Sequence, residues 1–363
     1  MDIIYFYKLF NNYIISYAIL GIIILLITIY LLKKYIVIAN KFKIIDLPNY
    51  RSSHKLPTIR GGGVIIAIVS QLTIVFLYKL KILPPNIAFA YSCGFMLAIL
   101  GFIDDLINLS IKIRLFFQCI ISCIAIFFVL PTPIRLPISI HYISQTSIND
   151  LNNLFNFITS LFLLIWSINL FNFMDGTDGL AGVEATFVVF LGGILVYLAT
   201  KSISFSGYLW LISFIILGFL KFNWPPAKVF MGDVGSYFLG FFIGISSLIS
   251  HYIYKVSLCY WLILYAVFLV DATLTLIKRM IYEKEWYKSH RQHAYQKMQN
   301  LGWQHKKILY GLIIINSLLG CIALFAFYKK LIWINNIIVY LLLGTLYLYI
   351  EYRLKRKIHE KNS

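Results

Sequence analysis

Apolar runs of about 17–22 residues recur eleven times along this chain, and they restrict its fold more than any other feature. A helix rises about 1.5 Å per residue, so roughly 20 apolar residues cross the hydrocarbon core of a bilayer. No water reaches a free peptide group there, which leaves helices and closed barrels as the only spanning structures. Uninterrupted runs of this length read as helices.

The runs lie at about 13–32, 63–79, 86–103, 113–130, 154–173, 183–200, 206–222, 235–251, 257–277, 307–327 and 331–350. Only 13% of the 363 residues are charged, about half the share in a soluble domain. The expected fold is an all-α integral membrane protein of eleven transmembrane helices, with ten as the alternative count. Residues 1–363 read as a single polytopic domain without internal repeats or low-complexity linkers. Lys8 is the one basic residue before the first run, which is too long for a signal-peptide core, so that span is expected to be retained. Cys93, Cys119, Cys123, Cys259 and Cys321 all sit in or beside apolar runs without a C-x-x-C pair, which argues against zinc and disulfides.

The net charge of +18 would suit a nucleic-acid binder, but its distribution excludes that class. If the C-terminus is cytoplasmic, 24 of the 32 basic residues fall in cytoplasmic segments. That is the positive-inside pattern, and it places the N-terminus outside. The tail RLKRKIHEKN then reads as an anchor beside anionic lipid. The outer segment 131–153 is expected to be polar, with a short strand pair or an interfacial helix.

The same orientation gathers the informative acids on one face. GFIDDLINLS places Asp104 and Asp105 at the end of the third span, with Lys112 and Arg114 close behind. Adjacent carboxylates repel unless a cation lies between them; the plainer reading is a pair of hydrated loop acids. NLFNFMDGTDGLAG spaces Asn172, Asp175 and Asp178 three apart among glycines that allow close backbone approach to a phosphate or a base edge. Asp caps on a glycine-rich turn are the alternative. In KFNWPPAKVFMGDVGSYFLG, Asp233 begins a span, either as a helix cap or as a hard oxygen ligand for Mg²⁺. SHRQHAYQKM brings His290, Arg291 and His293 to the most basic loop, and DLPNYRSSHKLPTIRGGGV brings Arg51, His54, Lys55 and Arg60. Aspartates, glycine-rich backbone and cationic loops on one face describe a site where a soluble diphosphate meets a lipid.

At these residues the chain resembles the polyprenyl-phosphate N-acetylhexosamine-1-phosphate transferases, the glycosyltransferase 4 family. GFIDD, NFMDGTDGLAG and VFMGDVGS match its signatures in order and spacing, and the similarity covers roughly residues 40–300. The resemblance implies an active site on the cytoplasmic face of a bacterial inner membrane. It implies Mg²⁺ as cofactor, with Mn²⁺ as a substitute, a UDP-N-acetylhexosamine as donor and undecaprenyl phosphate as acceptor; a homodimer is compatible with it.

Carried over by residue, Asp233 would be the main metal ligand, with Asp104 and Asn172 beside it, and Asp104, Asp105 and Asp233 would form the catalytic set. Asp178 would meet the uracil edge, Phe230 would stack on its ring, and Asn172, Asp175 and Asn223 would line the nucleotide pocket. His290, Arg291 and His293 would grip the sugar phosphate, with Lys55 and Lys112 as further phosphate contacts.

Two positions depart from the family pattern. Asn108 stands where a third aspartate is usual, and the loop reads His290-Arg291-Gln292-His293 where the MraY-type phospho-MurNAc-pentapeptide transferases carry three consecutive histidines. The latter places the chain nearer the WecA- and WbpL-like branch, which begins O-antigen and other surface glycans, and makes the peptidoglycan reaction the alternative. A transporter is the rival from another class; it calls for charges near mid-span, and only Asp271 fits. A CDP-alcohol phosphotransferase would need D-G-x-x-A-R, whereas Asp178-Gly179 continues as Leu180-Ala181-Gly182.

Overall fold

The structure is a computed structural model and describes residues 14–46, 57–130, 147–287 and 290–362. Helices dominate it. In chain order they are α1 (Ile14–Lys41), α2 (Gly63–Lys79), α3 (Pro85–Ile107), α4 (Ile111–Val129), α5 (Ser147–Met174), α6 (Leu180–Thr200), α7 (Ile203–Asn223) and α8 (Gly232–Tyr252). There follow α9 (Leu258–Leu264), α10 (Ala266–Tyr282), α11 (Ala294–Asn300), α12 (His305–Lys329) and α13 (Ile332–Asn362). A two-residue antiparallel pair, β1 (Ile45–Asp46) with β2 (Thr58–Ile59), lies between α1 and α2, and Ile59 also bridges Val229. This pair is an addition to the all-helical expectation.

Each of the eleven expected spans has a helical counterpart, but not all are simple spans. Among the described residues nine helices are long and apolar enough to cross a membrane. The expected ninth span is broken: α9 and α10 meet at Tyr265 with a bend of 79°. Counted as one span, this pair makes ten, and α2, at 17 residues, is the remaining short one. Neither glycine nor proline marks the break, so packing rather than local sequence sets it. α5 starts earlier than expected, at Ser147, and α13 carries the helix through the basic tail. The rest of the expected outer segment, 131–146, lies outside the described residues.

α8 is the centre of the bundle and packs chiefly on α3 and α5. Its sequence explains why. In lipid, helices gain little from hiding apolar surface from each other and associate through small residues and polar bonds. A side chain at Gly240 would strike the Ser167 carbonyl and Ile168 of α5, and one at Gly101 of α3 would strike the Asp233 backbone. Ser167 donates to the Gly240 carbonyl at 2.7 Å, and Tyr91 and Ser246 share a 2.7 Å bond beneath stacked Phe242. Close contact between α3, α5 and α8 brings the polar ends of all three together.

Candidate active site

The first turn of α8 leaves backbone N–H groups without helical partners. Met231, which precedes it, has no acceptor to cap them, so α3 supplies one. Asp105 Oδ1 accepts from Asp233 N at 3.0 Å and Oδ2 from Val234 N at 3.3 Å. The cap requires Gly232, whose φ is +75°, and a Cβ there would lie 2.5 Å from Asp105 Oδ2. Arg60 then approaches both acids: its Nη2 is 2.5 Å from Asp105 Oδ1 and 3.5 Å from Asp233 Oδ2. From α5, Asn172 donates to Asp233 Oδ1 at 2.8 Å and to Ser236 at 2.9 Å.

Asp104 faces the other way and is more enclosed. Its Oδ2 accepts from Tyr237 at 2.7 Å and from Arg114 at 3.1 Å, and its Oδ1 from Leu109 N at 2.8 Å. These bonds fix Arg114 and Tyr237 beside the cluster. The carboxylate is buried with three donors on it, which suits an anchor for Arg114 better than a ligand for an ion.

The loop after α5 supplies a third acid. Asp175 is half-buried. Burial and the nearby carboxylates of Asp233 and Asp105 push its pKa up to about 7, against the pull of Arg60. Three carboxylates thus stand near one guanidinium, with Asp105 and Asp233 paired to it directly. That excess of negative charge fits a hard divalent cation, which typically takes one or two carboxylates plus substrate phosphates. Among the described residues no three acidic, His or Cys side chains are placed to hold an ion by themselves.

Beyond Asp175 the chain turns through Gly179, at φ +75°, and its N–H donates to Asn223 Oδ1 at 2.9 Å. Asn223 is buried and donates its other end to the Val229 carbonyl at 2.9 Å, so it braces this loop against the 224–231 segment. Asp178 does the same from the loop side, accepting from Ala227 N at 3.0 Å and facing His305 Nδ1 at 3.5 Å. Phe230 is half-buried beside it; its N–H donates to the Ile59 carbonyl and its carbonyl accepts from Gly62 N.

The histidine loop closes the far side. His293 is buried, stacked against Tyr295 with ring centroids 5.8 Å apart and lying 6.4 Å from Phe173. Tyr295 donates to the Phe173 carbonyl at 3.4 Å, next to Gly176. Asp271 holds the loop: both carboxylate oxygens accept from Ala294 N, at 2.8 and 2.9 Å, and Oδ1 is 3.3 Å from His293 Nδ1. The one acid that suited a transporter is thus occupied in fixing the loop. His290 lies 4.8 Å from His293, centroid to centroid. Burial, with His293 and Arg279 nearby, lowers its pKa to about 3, which keeps it neutral near pH 7. Arg291, half-buried, supplies the positive charge of this edge.

Asp104, Asp105, Asn172, Asp175 and Asp233 thus gather at one end of the bundle, with Asp178, Asn223, Phe230, His290, Arg291 and His293 around them. Lys112 is exposed and has no part in this network, and Lys55, with Arg51 and His54, lies outside the described residues. The cations that reach the acids are Arg60 and Arg114, which the sequence names in its motifs but which were not carried into the expected site, where Lys55 and Lys112 stood instead. Ser236 and Tyr237 were missed as well, hidden in an apolar run.

The profile of glycosyl transferase family 4 matches residues 87–251, which include the three aspartate motifs. A probable undecaprenyl-phosphate N-acetylglucosaminyl 1-phosphate transferase of Bacillus subtilis is 25% identical over 84% of this chain and 83% of its own length. The undecaprenyl-phosphate alpha-N-acetylglucosaminyl 1-phosphate transferase of Escherichia coli K12 is 27% identical, over 86% and 84%. The phospho-N-acetylmuramoyl-pentapeptide-transferase of Orientia tsutsugamushi is 32% identical, over 74% and 80%.

Proposed function

This chain belongs to glycosyl transferase family 4, and from that premise we propose that it transfers an N-acetylhexosamine 1-phosphate from a UDP-sugar to undecaprenyl phosphate, releasing UMP. It is a multi-pass protein of the bacterial inner membrane. The observation that carries the proposal is the pairing of Asp105 and Asp233 with Arg60, with Asp175 of the glycine-rich loop close by. We assign this end of the bundle to the cytoplasmic side, as the distribution of basic residues requires.

In the reaction an oxygen of the lipid phosphate attacks the β-phosphorus of the UDP-sugar, and the bond to the UMP oxygen breaks. A phosphate monoester has a second pKa near 6 and is largely dianionic at pH 7, so the nucleophile needs little help from a base. Asp104, with three donors on it, is assigned to holding Arg114 and Tyr237 toward the acceptor phosphate rather than to taking a proton. Asp233, oriented by Asn172, would hold Mg²⁺, which supplies charge neutralisation of the diphosphate and the departing UMP, while Asp105 caps α8 and pairs with Arg60. The loop from Asp175 to Gly182, braced by Asn223, receives the nucleotide, and His290, Arg291 and His293 receive the sugar. The donor read here is UDP-GlcNAc or a close UDP-N-acetyl sugar, and the product would start an O-antigen or related surface polysaccharide.

A second reading is favoured by one observation, the 32% identity to the Orientia phospho-N-acetylmuramoyl-pentapeptide-transferase. Against it stands the loop His290-Arg291-Gln292-His293. One assay separates the readings: purified protein in nanodiscs with undecaprenyl phosphate and Mg²⁺, offered UDP-GlcNAc, UDP-GalNAc and UDP-MurNAc-pentapeptide, with UMP release followed. UMP from an N-acetylhexosamine donor, abolished by chelation and reduced about a thousandfold or more in Asp233→Asn, is the expected result. UMP from the MurNAc-pentapeptide donor alone would establish the second reading, and none from any donor would overturn both.

A further inference from the structure

A cavity opens beside the histidine loop. It encloses about 940 Å³ between α10, α12 and α13, with α11 at its inner end. Val267, Leu312, Ile315, Leu343, Leu346 and Ile350 make its wall largely apolar. Its two ends are polar in different ways. Arg353, Arg356 and Lys357 stand at the outer rim, where Glu360 is the one acid lining it. Arg356 pairs with Glu360 at 2.8 Å, and Arg353 and Lys357 bond only to neutral oxygens, Tyr349 OH at 3.0 Å and the Asn300 carbonyl at 3.2 Å. Among the described residues neither has a carboxylate partner. Tyr349, Arg353 and Lys357 follow at four-residue steps and share one face of α13. Trp303 and Tyr349, also in the lining, mark the level of the lipid head groups.

We propose that this groove binds one anionic phospholipid, with an acyl chain along the apolar wall and the phosphate between Arg353 and Lys357. The wall favours hydrocarbon over water, and the two unpaired cations favour an anionic head group over a zwitterionic one. The site stands apart from Asp104, Asp105 and Asp233, although Met174, Leu180 and Tyr295 at its inner end border the nucleotide and histidine loops. α13 packs on α9, α10, α11 and α12, whereas Asp104, Asp105 and Asp233 belong to α3 and α8. Occupancy still reaches the centre through side chains of the groove wall. Tyr347 and Thr275 share a bond of 3.0 Å, Thr275 donates to Asp271 at 3.2 Å, and Asp271 holds His293 and Ala294. A lipid pressed against Tyr347 and Asp271 steadies the histidine loop, so anionic lipid would raise turnover without touching the substrates.

The test uses the full chain in nanodiscs of phosphatidylcholine with about 20% phosphatidylglycerol, and native mass spectrometry to count lipid kept after gentle delipidation. The expected result is about one phosphatidylglycerol per chain, preferred about fivefold over phosphatidylcholine. Arg353→Gln with Lys357→Gln should abolish the preference. Gly311 lines the groove, and a Cβ there meets no atom within 4 Å, so Gly311→Trp puts bulk into the groove from an open position while Gly311→Ala leaves it open. Gly311→Trp should lose the retained lipid and Gly311→Ala should keep it. Equal retention of both phospholipids, retention undisturbed by Gly311→Trp, or displacement of phosphatidylglycerol by an equimolar amount of undecaprenyl phosphate would each overturn the proposal. The count of bound lipid does not depend on catalysis, so failure here is distinguishable from failure of the transferase reading.

Discussion

α1 and α8 differ in a way that reverses the soluble-protein rule. α1 is the most apolar of the nine long helices, yet only 22% of its most apolar window is buried; α8 is the least apolar, and 89% is buried. In water an apolar face turns inward because water rejects it. In a bilayer lipid accepts that face, and the interior goes to helices that can approach closely and bond to one another. α8 does so with Gly235, Gly240 and Gly244 and with Ser236 and Ser246. The function follows from this choice, because the helix drawn to the centre is the one that carries Asp233.

The largest effects should come from destroying that close approach. In Gly240→Leu the new side chain would sit against the α5 backbone, with Cβ only 2.6 Å from the Ser167 oxygen. Overpacking costs about 1–3 kcal/mol where side chains can yield, and backbone yields less. The thermal midpoint in detergent should fall by about 5–10 °C or the folded yield should vanish. Gly344→Leu on α13, where a Cβ meets nothing within 4 Å, should leave it in place. Equal losses in the two variants would mean that the contrast between central and peripheral helices is false.

Arg60→Ala comes next. It would leave Asp105, whose side chain is 7% exposed, without its cation. Breaking a buried pair costs about 3–5 kcal/mol, and since Arg60 is itself one-third exposed about 2 kcal/mol is the better expectation. Arg60→Lys keeps the charge but not the fork that reaches two carboxylates, so it should recover only part of the stability and of UMP release.

How much of this could be read in advance varied with the physics of each feature. The eleven apolar runs were legible because length and hydropathy suffice for a span. The break at Tyr265 was not, since WLILYAVFLV contains no breaker and the bend arises from neighbours. Asp104, Asp105, Asp175 and Asp233 stood out because a charge in an apolar chain is costly. Their cationic partners were harder. Lys112 and Arg114 are two residues apart on α4, so they point to nearly opposite sides, and only the helix's rotation decides which meets Asp104. Tyr237 carried no signal, being one aromatic among 26 tyrosines and 29 phenylalanines.

Asp175 offers a smaller effect with a defined sign. Its pKa is raised to about 7 in the folded protein, above the ordinary carboxylate value near 4. Such a group contributes stability below its unfolded pKa and loses that contribution as pH rises through about 7. The metal-free protein should therefore lose a few degrees of thermal midpoint between about pH 5 and pH 8. A divalent cation competes with that proton, so the stabilisation by added Mg²⁺ should be larger at pH 8 than at pH 5.5. Asp175→Asn should weaken both dependences; if they persist unchanged, another group is titrating.

The smallest effect belongs to α1. Leu26 is 59% exposed on the most apolar span, and Leu26→Ala removes side-chain volume that touches lipid instead of protein. A buried leucine truncated to alanine costs about 2–5 kcal/mol, because a cavity remains and packing is lost. Lipid tails fill the space at Leu26, alanine is the better helix former, and the thermal midpoint should move by no more than about 1 °C. Phe242→Ala on α8, beneath Tyr91, should by contrast show the full loss of about 3–5 kcal/mol. A shift of more than about 3 °C for Leu26→Ala would mean that protein covers this face in the membrane. α1 would then have to be counted with α8 as a packed helix rather than set against it.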